Sequence, residues 1–568
     1  MSRTWLVSRR AHALACTALF WAMTGAVHAQ TAPDAGSLLQ QIEREQHPAL
    51  PPKAPPEFEP PAPMESLGGV TVTVKAFTFA GNKLLTGKQL APAVAKFIGR
   101  PLGFADLQNA AIAVATRYRR AGWVVRAYLP QQDVTGGKVT IQIVEAKLGE
   151  VRVEGDAKHV SSKQVTRIIE DAQPVGAPMN ANALDRGLLL VGDLAGVTAG
   201  GKLAEGEKQS QTDLVVNVAD SAPISGNVTS DNAGQRATGA GRLIADVDLN
   251  SPAGLGDRAD ILLLGSQGSN YARADYSLPV GGDGWRVGVN GSHLGYRVIT
   301  QEFEALDAHG TSTTAGLEAS YPLLRSRLAN LYLGLNADDK RFDNDSAGVT
   351  TSHYSIQTAR ASLYGNAFDS LGGGGANNGS ITFEQGIDDL GGSPNEAADA
   401  LTTHAAGAFR KLNLSLSRQQ TVSERLSLYA ALSGQLSNKN LDSSEKFYLG
   451  GADGVRAYPE NEGGGTEGLL ANLEGRVKLP ANFNAAAFVD WGSVHINKDN
   501  DFPGATTLNT DDLKGAGVSL GWVAPFGLSA KATWAHRIGT NPDPTSTGDD
   551  QDGSHIENRV WLQVSMPF

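Results

Sequence analysis

From Ser221 to the C-terminus, apolar and polar residues alternate with a period of two in short runs separated by Gly, Asp, Asn and Pro. That is the pattern of strands with one apolar and one polar face. In GRLIADVDL, Leu243, Ala245, Val247 and Leu249 face one way, and Arg242, Asp246 and Asp248 face the other together with Ile244. YARADYSLP sets Ala272, Ala274, Tyr276 and Leu278 against Arg273, Asp275 and Ser277. LLANLEGRVKL sets Ala471, Leu473, Val477 and Leu479 against Asn472, Glu474, Arg476 and Lys478. Charges that recur on the second face from strand to strand fit an apolar exterior around a polar lumen better than a soluble sandwich. Sixteen runs can be counted, near residues 224, 240, 259, 271, 285, 312, 330, 352, 380, 405, 425, 467, 483, 515, 527 and 559. Tight turns at 279–284, 419–422, 479–482 and 524–527 follow even-numbered runs, and long loops at 297–311, 437–465, 492–514 and 536–559 follow odd ones. Short turns on one side and long loops on the other predict a transmembrane β-barrel. The final run, RVWLQVSMPF, puts Val560, Leu562, Val564, Met566 and Phe568 on one face.

The first 220 residues follow other periods. Residues 35–46 place Leu38, Leu39 and Ile42 at helical spacing, with Glu43, Arg44 and Glu45 opposite, which predicts a short amphipathic helix. A proline-dense stretch from His47 to Pro63 reads as an extended linker. Residues 70–146 predict a strand (alternating Val70, Val72, Val74 with Thr71, Thr73, Lys75), helices at 87–98 and 106–120, and strands at 123–130 and 138–146. The second of these helices presents Leu107, Ala110, Ala111 and Val114 on one face. Residues 148–220 repeat the order, with helices at 161–172 and 181–195 and closing strands at 196–202 and 213–220. Two βααββ units in tandem form an internal structural repeat.

Composition narrows the picture. The 568 residues carry a net charge of −11, a mean hydropathy of −0.21 and 66 glycines. A polytopic helical membrane protein is excluded, because each span needs about 20 mostly apolar residues; a β-barrel is not. The acidic balance argues against nucleic acid as a partner. Residues 1–29 read as a secretory signal, with Arg3, Arg9 and Arg10 before an apolar stretch and Val27-His28-Ala29 at the cleavage positions. The single cysteine, Cys16, lies within that signal. The exported chain therefore holds neither disulfide nor catalytic thiol. No HExxH motif is present, and His293, His404, His495 and His536 are scattered over separate strands and loops. No catalytic residue, metal site or cofactor is expected.

Four segments carry a family resemblance. TRYRRAGWVVRAYLPQQDVTGGKVTIQIVEAKL (116–148) resembles the end of a first POTRA domain. SDNAGQRATGAGRLIADVDLNSPAGLGDR (230–258) resembles a first barrel hairpin. FYLGGADGVRAYP (447–459) resembles a loop-6 motif usually written VRGY, here with Ala457 for the family glycine, and FVDWG (488–492) resembles the FxDxG motif of strand thirteen. In this order they resemble the TpsB transporters of two-partner secretion, in the Omp85 superfamily, over essentially the whole mature length.

The resemblance implies a mixed fold: a signal peptide (1–29), a plug helix (30–47), a Pro-rich linker (48–66), POTRA domains at 67–146 and 147–220, and an outer-membrane β-barrel of about sixteen strands (221–568). It implies a protein-conducting channel, monomeric, in the Gram-negative outer membrane, that secretes a TpsA-type exoprotein such as an adhesin or haemolysin, with activation of that exoprotein left open. An Omp85-type assembly factor and a passive porin are the alternatives. Implied partners are that exoprotein, outer-membrane lipid and, during biogenesis, the barrel assembly machinery. Implied sites are the loop-6 motif Val455, Arg456, Ala457 and Tyr458; the barrel-wall motif Phe488, Asp490 and Gly492; Phe568 as C-terminal insertion signal; and a cargo-binding POTRA edge at Trp123, Val125 and Tyr128. Asp490 falls on the polar parity of its strand, and a charged side chain in a barrel wall needs a partner. Arg456 is therefore expected to fold into the lumen and reach Asp490, and Ala457 to narrow the conformations of the loop tip.

Overall fold

The computed structural model describes residues 33–46, 49–54, 71–155, 157–208 and 210–568; the signal reading at 1–29 and most of the linker reading at 48–66 lie outside them. The first described element is a helix, α1 (Ala35–Glu45), whose N-cap Asp34 accepts a hydrogen bond from Ser37 N at 2.7 Å. Such a cap satisfies one of the free backbone donors at a helix start. A three-turn helix is marginal alone in water, so α1 depends on what it is buried against.

Two modules of the same topology follow. In the first, β1 (Ala76–Ala80), α2 (Gly87–Val94), α3 (Phe104–Arg120), β2 (Val125–Tyr128) and β3 (Lys138–Glu145) form a sheet of order β1-β3-β2. In the second, β4 (Lys147–Glu154), α4 (Ser162–Ala172), α5 (Ala181–Gly192), β5 (Val197–Glu205) and β6 (Gln211–Asp220) give the order β4-β6-β5. In each, the outer strand that opens the module runs parallel to the central strand and the other outer strand antiparallel. Leu107, Ala110, Ala111, Val114 and Tyr118 of α3 are buried against Val139, Ile141 and Ile143 of β3. The first predicted strand is interrupted. Val72–Thr73 pairs with Pro101–Leu102, and β1 starts anew at Ala76 after Lys75 N and Ala76 N both turn to the Gly137 carbonyl.

Sixteen antiparallel strands then close into a barrel, and each predicted run matches one of them. Leu243, Leu317, Leu473, Val489 and Leu562 point outward and are exposed, whereas Arg242, Asp338, Lys340, Glu384 and Asp490 point inward and are buried. This parity puts apolar side chains towards lipid and polar ones into the lumen. The even-numbered connections are short, but not every odd one is long. The seventh strand (Ala329–Ser346) and the eighth (Val349–Asp369) are joined by Ala347-Gly348 alone, both at positive φ. With 18 and 21 residues they exceed the roughly 9–11 needed to cross lipid, so the outer segment here is hairpin rather than loop.

The second module sits on the barrel's inner turns. Asp193 holds Arg325 through two bonds of 2.8 Å, Asp185 pairs with Arg327, and Arg186 donates to the Pro322 carbonyl at 2.9 Å.

The barrel closes where the last strand (Asn558–Pro567) meets the first (Ile224–Asp231). Phe568 extends this seam: its N–H donates to the Gly226 carbonyl at 3.0 Å, and Gly226 N donates back at 3.1 Å. Its ring lies so close to Gly226 that a Cβ there would meet it at 2.5 Å. An open strand edge is intolerable in lipid. Deleting Phe568 is therefore expected to lower the amount of folded barrel in the outer membrane. Heat-modifiable mobility on gels checks it; insertion at the unaltered level would reduce the terminal aromatic to coincidence.

Candidate functional site: a doubly occupied lumen

Two segments fill the lumen. The first is α1. Ala35, Leu38, Leu39 and Ile42 pack with inward-facing Leu264, Leu294, Phe342, Tyr354, Ile356 and Phe409 of the wall. Burying a Leu or Ile side chain is worth about 1.5–3 kcal/mol, enough to stabilise a helix this short. Polar contacts fix its register. Ala35 N donates to Asn344 at 2.9 Å, Lys340 donates to Glu43 at 2.8 Å, and Arg242 to Glu45 at 3.0 Å. These bonds are to side chains, so α1 adds no strand to the sheet. Below it the chain leaves the lumen along the wall, where Asn366 donates to the Pro51 carbonyl at 2.7 Å. On the periplasmic side of α1 lies a polar cavity of about 1040 Å³, lined in part by Asp246, Arg258, Asp260, Arg273, Asp275 and Glu318.

The second occupant is the connection between the eleventh strand (Leu426–Ser437) and the twelfth (Glu467–Lys478). It folds inward and brings Arg456 to the thirteenth strand (Phe483–His495). Arg456 grips Asp490 with Nε at 2.9 Å and Nη2 at 2.7 Å, and its backbone N–H adds a third bond at 3.1 Å. Its Nη1 reaches Glu474 at 2.7 Å, and the guanidinium lies 3.4 Å from the Phe488 ring centroid. Asn472 Nδ2 donates to Asp490 Oδ1 at 2.8 Å, and Trp561 Nε1 donates to the Arg456 carbonyl at 2.8 Å. Asp490 is fully buried. A planar guanidinium fits this bidentate arrangement where a lysine would not.

The rest of the motif packs around that pair. Val455, Ala457 and Tyr458 are fully buried, and Arg537 stacks over the Tyr458 ring at 4.3 Å. Gly492 gives room to Leu449, since a Cβ there would lie 2.6 Å from Leu449 Cδ2. Further along the loop, burial and then the nearby Asp550 carboxylate push Glu462 up to about 8. Asn541 Nδ2 and Gln551 N donate to Glu462.

The two occupants also hold each other. Arg44 of α1 donates to the Tyr448 carbonyl at 2.9 Å and to Glu460 at 3.0 Å, Asn461 donates to the Ser37 carbonyl, and Ser443 donates to Asp34.

Ala457 does not strain the tip. It is not among the residues with positive φ, so no glycine conformation is required of it. Its methyl is accommodated by Gly515 of the fourteenth strand, where a Cβ would stand 2.7 Å from the Ala457 Cβ. Ala457→Gly is thus expected to cost no more than about 0.5–1 kcal/mol, the usual entropic cost of glycine. Gly515→Val should expel the loop. Protease accessibility of residues 447–460 in the folded barrel distinguishes the two variants; equal protection of both would mean Gly515 does not set the fit.

Of the residues singled out from sequence, Val455, Arg456, Ala457, Tyr458, Phe488, Asp490 and Gly492 come together here. Phe568 lies at the seam, and the edge segment lies in the first module. There β2 is an edge strand, but Trp123 and Val125 pack against the module's core, and Val124 N is taken by the Met179 carbonyl. Only Tyr128 of the three is strongly exposed. Sequence reasoning missed Trp561, Arg537 and Gly515, and it missed Glu474 and Asn472 as partners although it placed both on the polar face.

Known proteins resemble this chain in sequence and in fold. A family model described as haemolysin secretion/activation protein ShlB/FhaC/HecB matches residues 210–523, and one described as POTRA domain, ShlB-type, matches residues 72–146. The heme/hemopexin transporter protein HuxB of Haemophilus influenzae is 25% identical over 541 residues, 90% of this chain and 93% of its own. The outer membrane transporter CdiB of Escherichia coli is 24% identical over 485 residues, 78% of this chain and 77% of its own. Among solved structures, CdiB from Escherichia coli superposes with a TM-score of 0.70 at 20% identity, covering 95% of this chain and 100% of that one. BamA from Haemophilus ducreyi lacking POTRA domains 1–3 gives 0.51 at 15% identity, covering 88% and 100%.

Proposed function

Since the chain belongs to the haemolysin secretion/activation family of outer-membrane transporters, matched over more than half its length, we propose that it exports one partner exoprotein of the TpsA class and that its plugged lumen is the resting state. The observation that carries this reading is that both luminal occupants are separable from the wall. Neither α1 nor Arg456 is woven into the sheet, and each is held by side-chain contacts that can break without opening the barrel. A sixteen-stranded barrel cleared of both is wide enough for an aqueous passage, and an unfolded chain could thread it.

On this reading the periplasmic modules receive the cargo. β2 offers unpaired backbone groups from Val125 to Tyr128, and strand addition to such an edge gives affinity without demanding one sequence. The transporter acts as a monomer without cofactor, and Phe568 is read by the assembly machinery. HuxB is by its name a heme/hemopexin transporter and HpmB of Proteus mirabilis a hemolysin transporter; the cargo class proposed for this chain is a large exoprotein such as an adhesin or haemolysin. The reading expects a large exoprotein with an N-terminal secretion domain to be encoded beside this gene, and the test is export of that exoprotein with and without this chain, measured in the medium and on the cell surface. Equal export in both would refute the reading, and conductance without export would mark a passive pore.

A further inference from the structure

The first periplasmic module carries a charge of the sign opposite to that of the whole chain. Residues 72–146 hold ten Lys and Arg against three Asp and Glu, in a protein of net charge −11. The second module, residues 147–220, holds eight against eleven. The three acids of the first module are already engaged. Asp106 accepts from Gly103 N, Asp133 from Thr135 N, and Glu145 from Lys83 N, Leu84 N and the Tyr118 hydroxyl. Ion pairs among the described residues involve α1, the second module and the barrel, and none involves these ten cations. Nine of the ten are exposed, and Arg117 is half-buried. The helix macrodipole accounts for Arg117, Arg119 and Arg120 in the last turn of α3, but not for the rest.

Four of the cations gather at one edge. α3 packs along β2, and Trp123 N donates to the Tyr118 carbonyl at 3.0 Å. The last turn of α3 is thus held at the start of the strand that carries Arg126. β2 is an outer strand of its sheet. Ala146 N donates to the Val124 carbonyl. Backbone groups alternate in direction along a strand, so those of Arg126 and Tyr128 also face β3, and those of Val125 and Ala127 face the open edge. Val125 and Ala127 pack their side chains on the module's core. Arg126 and Tyr128 therefore lie on the sheet face that the helices leave uncovered, both exposed, with the guanidinium 5.6 Å from the ring centroid. This edge is joined to the barrel through the second module. Val124 N donates to the Met179 carbonyl and Ala181 N to the Gly122 carbonyl, while Asp185 and Asp193 hold the barrel turns. Open backbone groups on a strand edge are a site that a polypeptide extends and a lipid headgroup does not.

Resting on the reading that the periplasmic modules receive the cargo, we propose that this edge selects an acidic segment of the exoprotein. The segment adds as a strand along Val125–Tyr128 and carries Asp or Glu on the side chains that face Arg126, with further acids towards Arg119 and Arg120. An acid across from Arg126 gains a cross-strand ion pair. The excess of cations also draws an acidic chain to the edge before any backbone bond forms.

The test is fluorescence anisotropy of the full chain in detergent with two labelled peptides, one alternating Val with Glu and one alternating Val with Lys. At low ionic strength the Glu peptide is expected to bind roughly tenfold more tightly, the ratio that about 1.4 kcal/mol from two or three cross-strand ion pairs gives. Salt at about 1 M, where the Debye length falls to about 3 Å, should erase the difference. N-methylation of the valines, whose N–H groups would meet Val125 and Ala127, should reduce the Glu peptide to the level of the Lys peptide. Arg126→Glu should abolish the preference, and Arg119→Glu with Arg120→Glu should weaken it. Lys88→Glu, on α2 beside β1 at the far side of the sheet, should leave most of it. Equal binding of both peptides by the unaltered protein, or an undiminished preference in Arg126→Glu, would overturn the proposal. Flotation with phosphatidylglycerol vesicles alongside equal peptide binding would assign the charge to a lipid surface instead. Should Arg126→Glu fail to fold, Arg126→Gln decides in its place. Peptide binding does not require export: a preference in a chain that exports nothing would refute the export reading alone, and export without a preference would refute the acidic edge alone.

Discussion

Deletion of residues 35–45 is expected to raise the resting conductance of the reconstituted barrel several-fold and to increase uptake of large antibiotics, with export largely retained. The helix with its side chains is about 10–12 Å across, a large part of the bore of a sixteen-stranded barrel. Its removal also leaves the wall electrostatically intact. Arg242 keeps Asp231 and Lys340 keeps Glu445, so neither buried cation loses its last carboxylate. Glu460 loses Arg44, but burial already pushes that carboxyl up to about 7, so taking up a proton resolves the loss. The barrel should therefore insert normally, and single-channel recordings in planar bilayers check the conductance. Recordings indistinguishable from those of the full chain would show that α1 does not limit the resting pore.

Arg456→Ala should cut export severely while leaving the barrel inserted. Removing one partner of a buried ion pair costs roughly 3–5 kcal/mol, because the other charge is left uncompensated. Here Asp490, fully buried, would keep only the Asn472 amide and the Arg456 backbone N–H, and Glu474 would keep Arg476. At 1.4 kcal/mol per factor of ten, the ratio of docked to undocked loop should fall by about a hundredfold or more. Arg456→Lys, with a charge but no fork, should fall between. The measurement is secreted partner per folded transporter; export at the unaltered level in Arg456→Ala would remove the pair from the mechanism.

Much of this site could be read from residues, for a physical reason. Strand parity is a local property: Asp490, Asn472 and Glu474 point inward because every second residue does. Contacts across the lumen are different. Asn472 stands opposite Asp490 only because the turn at Leu479–Asn482 sets that register, and no periodicity encodes it. The partners of α1, from Arg242 to Glu460, meet it through barrel curvature over hundreds of residues. Trp561, which holds the Arg456 carbonyl, lies on the last strand and becomes a neighbour only on closure. The broken first strand of the first module failed for the opposite reason. Its alternation was regular, but a tertiary contact at Gly137 overrides it.

The chain that carries α1 re-enters regular structure at Val72, roughly 25 residues after Gln46, which at full stretch reaches at most about 85 Å. An ejected helix is thus never released to bulk. A covalent tether of this length keeps its two ends at an effective concentration on the order of millimolar, so recapture is unimolecular and independent of how many transporters the membrane holds. Each export event would then be followed by spontaneous resealing, with no second protein needed to reset the pore. The time a pore stays leaky would be set by the length of residues 46–71 rather than by the strength of the docked contacts.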